Sequence, residues 1–176
     1  MKKVLVVVDM QNDFIDGALG TKEAVAIVDK VADKIRNFDG LIFVTYDTHF
    51  DNYLKTNEGR KLPVKHCIKN TPGWKLNGKI QEALKNKKFT VVEKPTFGSV
   101  SLPNIIKDQC LEDKFSIEIV GLCTDICVVS NALMLKSHFY YLPIAVDASC
   151  CAGVTPETHK AALETMKCCQ IDIIGE

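Results

Sequence analysis

Hydrophobic positions along the chain form two kinds of segment. Short continuous apolar runs bounded by turn residues are typical of strands buried on both faces of a parallel sheet. Longer segments in which apolar residues recur every three or four positions are typical of helices that cover such a sheet. The strands predicted in this way lie at residues 3–8, 41–46, 89–93, 116–120, 140–146 and 171–174.

The predicted helices fall between these strands, at residues 22–37, 76–86, from 101 onward, from 125 onward and 155–168. Strict alternation of strands and helices predicts a three-layer α/β fold, with helices on both faces of a six-stranded, mostly parallel sheet. A length of 176 residues suits a single domain over residues 1–176. The polar stretch 48–72 has little periodicity, which is typical of a functional or a disordered loop.

The turn after the fourth predicted strand is the first candidate for chemistry. Thr124 is a plausible N-cap, so Cys127 would lie in the first turn of a helix. Backbone N–H groups there have no intrahelical partner and the helix dipole favours negative charge, so we expect the thiol to ionise readily. The same N–H groups could hold an oxyanion. The alternative is a small structural thiol in the core.

The balance of positive and negative residues argues against nucleic acid and anionic membranes as partners. The 22 Lys and Arg residues balance the 22 Asp and Glu residues, so no strong field attracts nucleic acid or an anionic membrane. No apolar run reaches the roughly 18 residues of a membrane span. A small-molecule partner is compatible with this composition.

Eight cysteines suggest either a disulfide framework or a set of reduced thiols. The sequence Met1-Lys2-Lys3 leads at once into a predicted strand, which indicates no signal peptide. We therefore expect a cytoplasmic protein with reduced thiols, in which the adjacent pairs Cys150-Cys151 and Cys168-Cys169 are core or surface residues.

Three predicted strands end in residues of complementary chemistry: Asp9, Lys94 and Cys127. In open α/β sheets, ligands bind beyond the carboxyl ends of the strands. A carboxylate can take the thiol proton, a lysine can stabilise the resulting charges, and a thiolate can attack a carbonyl carbon. Solvated or ion-paired structural roles are the alternative for the Asp and the Lys.

A second set of residues has the composition of a metal site. Asp47 and His49 follow the second predicted strand and, as alternate residues, project in the same direction. His66 lies in the polar loop and could complete a three-ligand site for Zn²⁺, Fe²⁺ or Mn²⁺. Hydrogen-bonded surface histidines are the alternative. Glu58 is either an additional ligand or a solvated loop acid.

Five motifs, in order along nearly the whole chain, resemble the isochorismatase-like cysteine hydrolases, and within them the nicotinamidases. They are Val7-Val8-Asp9-Met10-Gln11-Asn12-Asp13-Phe14, Asp47-Thr48-His49, His66-Cys67 followed by Thr71-Pro72-Gly73, Lys94-Pro95, and Gly121-Leu122-Cys123-Thr124-Asp125-Ile126-Cys127-Val128.

The resemblance implies roles for these residues. Asp9, Lys94 and Cys127 would be the catalytic triad, and a cis peptide between Leu122 and Cys123 would let the N–H groups of Cys123 and Cys127 form an oxyanion hole. A divalent metal on Asp47, His49 and His66, with zinc as the first choice, would bind the pyridine nitrogen of the substrate. Phe14 would stack on the ring, with Trp74 as a further wall. The resemblance also implies a homo-oligomer.

The resulting hypothesis is an amidohydrolase that converts nicotinamide and water to nicotinate and ammonia through a thioester. One alternative is a metal-independent hydrolase of another small amide or carbamoyl compound. Another is a noncatalytic binding or redox module that uses the thiols of Cys123 and Cys127.

Overall fold

A computed structural model describes residues 2–110 and 114–176 and contains one six-stranded, all-parallel sheet. Its strands follow the spatial order β3-β2-β1-β4-β5-β6, so β1 and β4 lie at the centre. The strands are β1 (Lys2–Val8), β2 (Leu41–Asp47), β3 (Phe89–Lys94), β4 (Phe115–Leu122), β5 (Ile144–Ala152) and β6 (Asp172–Ile174). The six-stranded α/β prediction is confirmed.

Helical segments cover both faces of the sheet. They are α1 (Asn12–Ile15), α2 (Lys22–Asn37), α3 (Asn57–Lys61), α4 (Gly78–Leu84), α5 (Leu102–Gln109), α6 (Val129–His138) and α7 (Pro156–Cys168), with a 3₁₀ turn at Tyr53–Lys55 and a π-helical turn at Thr124–Val128. In the described part of the chain, no helix is both long enough and apolar enough to cross a membrane.

Alternate residues of β1 supply the two halves of the core. Val4, Val6 and Val8 face a cluster completed by α5, α6 and α7. Leu5 and Val7 face the cluster formed with α1, α2 and α4. Because both faces of this strand are fully buried, its sequence is a continuous apolar run rather than an alternating one.

Two predictions about elements are wrong in detail. The fifth strand begins at Ile144 and runs to Ala152, so Asp147 lies within it and not at its end. Its polar side chain is accommodated there because Lys34 of α2 pairs with it at 2.7 Å. The polar loop also contains more structure than its pattern suggested, since the Thr56 hydroxyl caps α3 by accepting from the N–H of Gly59.

Candidate active site

Three strands bring Asp9, Lys94 and Cys127 together at the carboxyl edge of the sheet. Asp9 follows β1, Lys94 ends β3, and Cys127 lies in the π-helical turn after β4. All three are buried. Lys94 Nζ lies 2.6 Å from Asp9 Oδ2 and 3.6 Å from Cys127 Sγ. The sequence-predicted triad is therefore one cluster in space.

Asp9 is held in place mainly by Thr45 of β2. The hydroxyl of Thr45 donates to Asp9 Oδ1 at 2.6 Å, and the backbone N–H of Asp9 donates to the same hydroxyl at 3.2 Å. Among the described residues, Asp9 Oδ2 accepts no hydrogen bond, although the Lys94 ammonium is close. Burial raises the pKa of Asp9 despite the opposing effect of Lys94. This carboxylate can therefore accept a proton.

Lys94 connects the triad with the second cluster. Its ammonium donates to the carbonyl of Thr96 at 3.0 Å and lies 3.6 Å from Asp47 Oδ1. Burial alone would lower the pKa of Lys94, but the neighbouring carboxylates, Asp9 foremost, raise it. The side chain is therefore a buried ammonium at neutral pH.

The expectation that Cys127 ionises readily is wrong for this environment. Complete burial and the neighbouring Asp9 carboxylate raise the pKa of the Cys127 thiol well above its usual range, against the opposing effect of Lys94. Free backbone N–H groups favour a thiolate, but desolvation by burial outweighs them here. The thiol therefore rests protonated and needs a base to become a nucleophile.

The turn that carries Cys127 differs from the predicted helix start. The N-cap position is Cys123, not Thr124, and the turn is π-helical. The carbonyl of Cys123 accepts from the N–H groups of Ile126 and Val128, which lie on either side of Cys127. Thr124 does not cap because its hydroxyl is hydrogen-bonded to His159 at 2.8 Å.

The backbone before this turn has two special features. The peptide bond between Leu122 and Cys123 is cis, as the resemblance implied. Gly121 has a φ of 118°, and a side chain there would overlap the carbonyl oxygen of Val8 in the adjacent strand. Only glycine accommodates both the positive φ and this close approach.

Asp47, His49 and His66 form the second cluster, and their candidate ligand atoms all lie within 4.8 Å of one another. Asp47 Oδ2 is 3.0 Å from His49 Nε2 and 3.5 Å from His66 Nε2. Burial alone would raise the pKa of Asp47, but the two imidazoles and the Lys94 charge hold it below its ordinary value. All three residues are buried, so the surface-histidine alternative is excluded.

The donor set fits a divalent metal. His66 Nδ1 faces the Val64 carbonyl at 2.8 Å, which assigns the ring proton to Nδ1 and directs the Nε2 lone pair toward the cluster. The buried Nε2 of His49 has no hydrogen-bond partner among the described residues. Glu58 Oε1 lies 3.6 Å from Nε2 of both rings. Two imidazoles and carboxylates are ligands that suit Zn²⁺.

Gln11 is a supporting residue that sequence reasoning missed. Its side-chain amide accepts from the N–H of Asp47 at 2.8 Å and donates to the Asp47 carbonyl at 2.9 Å. A third hydrogen bond connects it to the carbonyl of Trp74. Its position in the loop directly after Asp9 was visible in the sequence. Its partners were not, because they lie 36 and 63 residues away.

A cavity of about 490 Å³ opens beside both clusters. Its lining includes His49, Glu58, Thr96, Phe97 and Ile126. These residues adjoin the candidate metal ligands on one side and Lys94 and Cys127 on the other.

The two predicted aromatic walls lie near the second cluster. The Phe14 ring is 5.6 Å from that of His66. Trp74 packs on Tyr46 and donates from Nε1 to the Thr48 hydroxyl at 2.9 Å. Neither ring is among the described residues that line the 490 Å³ cavity.

Comparison with known proteins places this site in a family. The sequence matches the isochorismatase domain over residues 3–175. The chain belongs to the isochorismatase family.

Several members of the isochorismatase family resemble this chain over their full length. The nicotinamidase of Saccharomyces cerevisiae is 25% identical, with 99% of this chain and 100% of that protein aligned. A pyrazinamidase of Pyrococcus horikoshii, solved in complex with zinc, is 28% identical with a TM-score of 0.84, and the match covers 100% of both chains. A nicotinamidase/pyrazinamidase structure from Bacillus subtilis has a TM-score of 0.86 at 25% identity, covering 99% of this chain and 100% of that one.

Proposed function

We propose that this isochorismatase-family hydrolase is a metal-assisted cysteine amidohydrolase that converts nicotinamide to nicotinate and ammonia. The observation that carries the proposal is the position of Lys94, which lies 2.6 Å from Asp9 and 3.6 Å from both Cys127 and Asp47. This lysine joins a nucleophile and its base to a metal-ligand set in one buried site. The similarity to nicotinamidases supports the choice of substrate.

The first half of the reaction forms a thioester. Asp9 takes the proton of the Cys127 thiol, and the Sγ electron pair attacks the carboxamide carbon. Lys94 stabilises the developing thiolate, because its ammonium already lies 3.6 Å from Sγ. The carbonyl oxygen becomes an oxyanion held by the N–H groups of Cys123 and Cys127. Asp9 then returns the proton to the leaving nitrogen, the C–N bond breaks, and ammonia departs.

The second half of the reaction restores the enzyme. Asp9 removes a proton from water, whose oxygen attacks the thioester carbon, and the same N–H groups hold the second oxyanion. The C–S bond then breaks and the proton passes to Sγ, which releases nicotinate. The raised pKa of Asp9, caused by burial, suits a group that accepts and returns a proton in each half.

Asp47, His49 and His66 would hold the metal, with Glu58 as a further ligand. Zn²⁺ is the first choice, and Fe²⁺ and Mn²⁺ are alternatives. When bound, the metal would supply a Lewis acid to which the pyridine nitrogen coordinates. We propose that Phe14, beside His66, contacts the ring, that the protein is a cytoplasmic homo-oligomer, and that its substrate is this small amide.

The experiment that tests the proposal compares two amides on the same zinc-loaded protein. Ammonia release is measured from nicotinamide and from benzamide, which has the same shape but lacks the ring nitrogen. The proposal predicts turnover of nicotinamide, a much higher KM for benzamide, and loss of nicotinamide turnover on chelation. Equal turnover of both amides with no effect of chelation would instead indicate a metal-independent amidase. No release from either would reject nicotinamide as the substrate.

A further inference from the structure

The turn that carries Cys127 is attached to α7 through two successive residues. The Thr124 side chain is fully buried, and its hydroxyl lies 2.8 Å from Nδ1 of His159. The next residue, Asp125, accepts from the backbone N–H of Val154 at 3.2 Å with each of its carboxylate oxygens. The first contact comes from α7 itself, and the second comes from the segment that connects β5 with α7.

The approach of α7 to this turn is unusually close. A Cβ at the buried Gly153 would lie 2.9 Å from the backbone N, Cα and Cβ of His159. A side chain larger than hydrogen at position 153 would therefore push His159 away from Thr124. The absence of a side chain at Gly153 lets the imidazole reach Thr124.

The opposite side of the turn is held by a different residue. Asn131 of α6 donates to the Cys127 carbonyl at 2.7 Å and accepts from the N–H of Ser99 at 3.0 Å. The nucleophile's own carbonyl is thus fixed from α6, while the residue three positions before it is fixed from α7. Only two residues separate Thr124 from Cys127 within this short turn, so a shift of Thr124 moves the Cys127 N–H and Sγ as well.

We propose that His159 is a positioning residue for the nucleophile, acting through its hydrogen bond to Thr124. The proposal rests on the proposed function, in which the Cys127 Sγ and N–H must lie beside one reacting carbonyl. His159 touches neither the reacting atoms nor the metal ligands. Its effect falls on the rate of attack rather than on binding at the metal-ligand side of the cavity.

The test compares His159→Leu with His159→Asn, whose amide can occupy the place of Nδ1. His159→Leu should lower kcat for nicotinamide about tenfold or more while KM stays within about twofold, because small misplacements of reacting groups cost rate. His159→Asn should recover most of kcat. A folded His159→Leu protein with wild-type kcat would overturn the proposal.

Thr158→Ala is the matched control for a merely structural role. Thr158 closes the capping box of α7 with Thr155, so its loss weakens the same helix turn without touching Thr124. We expect Thr158→Ala to lower the unfolding temperature and to leave kcat unchanged. An equal fall of kcat in Thr158→Ala and His159→Leu would contradict the proposal. If His159→Leu does not fold, Thr124→Val against Thr124→Ser makes the same comparison, and equal kcat in those two would also overturn it.

A second readout separates failure of this proposal from failure of the proposed function. Alkylation of Cys127 by iodoacetamide is followed by peptide mass spectrometry, with the exposed Cys168 of the same molecule as internal reference. His159→Leu should lower the alkylation rate of Cys127, relative to that of Cys168, by about tenfold. This holds whether or not the protein releases ammonia from nicotinamide. An unchanged ratio would reject the positioning role.

Discussion

Lys94 is the residue on which the site depends most. It is the buried cation between the carboxylates of Asp9 and Asp47, at 2.6 and 3.6 Å. Without it, two negative groups would remain buried with no cation between them. Removing one partner of a buried ion pair is costly because the other charge is left uncompensated.

We therefore expect Lys94→Met to destabilise the fold by about 3–5 kcal/mol and to abolish turnover. Adding Asp9→Asn to this variant removes one of the stranded charges and should recover much of the stability but none of the activity. Urea unfolding of the three proteins measures the free energies. A Lys94→Met protein as stable as wild type would contradict the ion-pair account of the site.

The candidate triad and the candidate metal ligands could be named from sequence, but the state of the thiol could not. Asp9, Asp47, Lys94 and Cys127 stand at strand ends, and sheet topology gathers such positions at one edge. The pKa of Cys127 depends instead on complete burial and on Asp9, which lies 118 positions earlier in the chain. Local sequence around a cysteine reports neither quantity.

At the scale of elements, α2 and β5 are joined by an ion pair that the sequence did not suggest. Lys34 Nζ lies 2.7 Å from Asp147 Oδ2, and Ser149 donates to Asp147 Oδ1 from its hydroxyl at 2.7 Å. Burial alone would raise the pKa of Asp147, but the hydrogen bonds from Lys34 and Ser149 hold it below its usual value. An acid whose folded pKa is lowered stabilises the fold when it is ionised.

The pH dependence of stability tests this pair. Its contribution should be fully present above the unfolded-state pKa of about 4 and should be lost as pH falls through the lower folded-state value. Asp147→Asn should therefore cost roughly 1–2 kcal/mol at pH 7 and progressively less below about pH 4. Unfolding by urea at several pH values gives the difference. A constant difference from pH 7 to pH 3 would exclude the ion pair as its cause.

Elements whose bounds were predicted closely are determined by local periodicity, whereas the mispredicted ones depend on partners that are distant in the sequence. The apolar run that forms β1 and the apolar residues spaced along α2 are local patterns, so the predicted bounds of both elements were close to those observed. The bounds of β5 were mispredicted because Asp147 looks like a strand end unless its partner Lys34 is known. Thr124 was assigned as a cap because the competing imidazole of His159 lies 35 residues away.

For the whole molecule, the proposed metal-ligand set connects β2 with the long loop that follows it. Asp47 and His49 lie at the end of β2, whereas Glu58 and His66 belong to that loop. A cation bound by all of them would hold the loop against the sheet. Ligands that bind only the folded state raise its stability by mass action.

Zinc should therefore raise the unfolding temperature of the chelator-treated protein. At a zinc concentration one hundred times the Kd, the gain is about 2.7 kcal/mol, or roughly 5–10 °C for a chain of this size. His66→Ala should lose this shift, whereas His138→Ala, at the end of α6, should keep it. Thermal unfolding followed by circular dichroism measures the three proteins with and without zinc. The same zinc shift in His66→Ala would contradict the assigned ligand set.

The proposed mechanism requires Cys127 to act through its thiol and Cys123 through its backbone alone. The most direct measurement is the initial rate of ammonia release from nicotinamide by wild type, Cys127→Ala and Cys123→Ala, each with its zinc content determined. We predict that Cys127→Ala loses at least about 10³-fold in kcat, whereas Cys123→Ala, which keeps its N–H, stays within about tenfold of wild type. Substantial turnover by a zinc-loaded Cys127→Ala protein would contradict the cysteine-hydrolase mechanism.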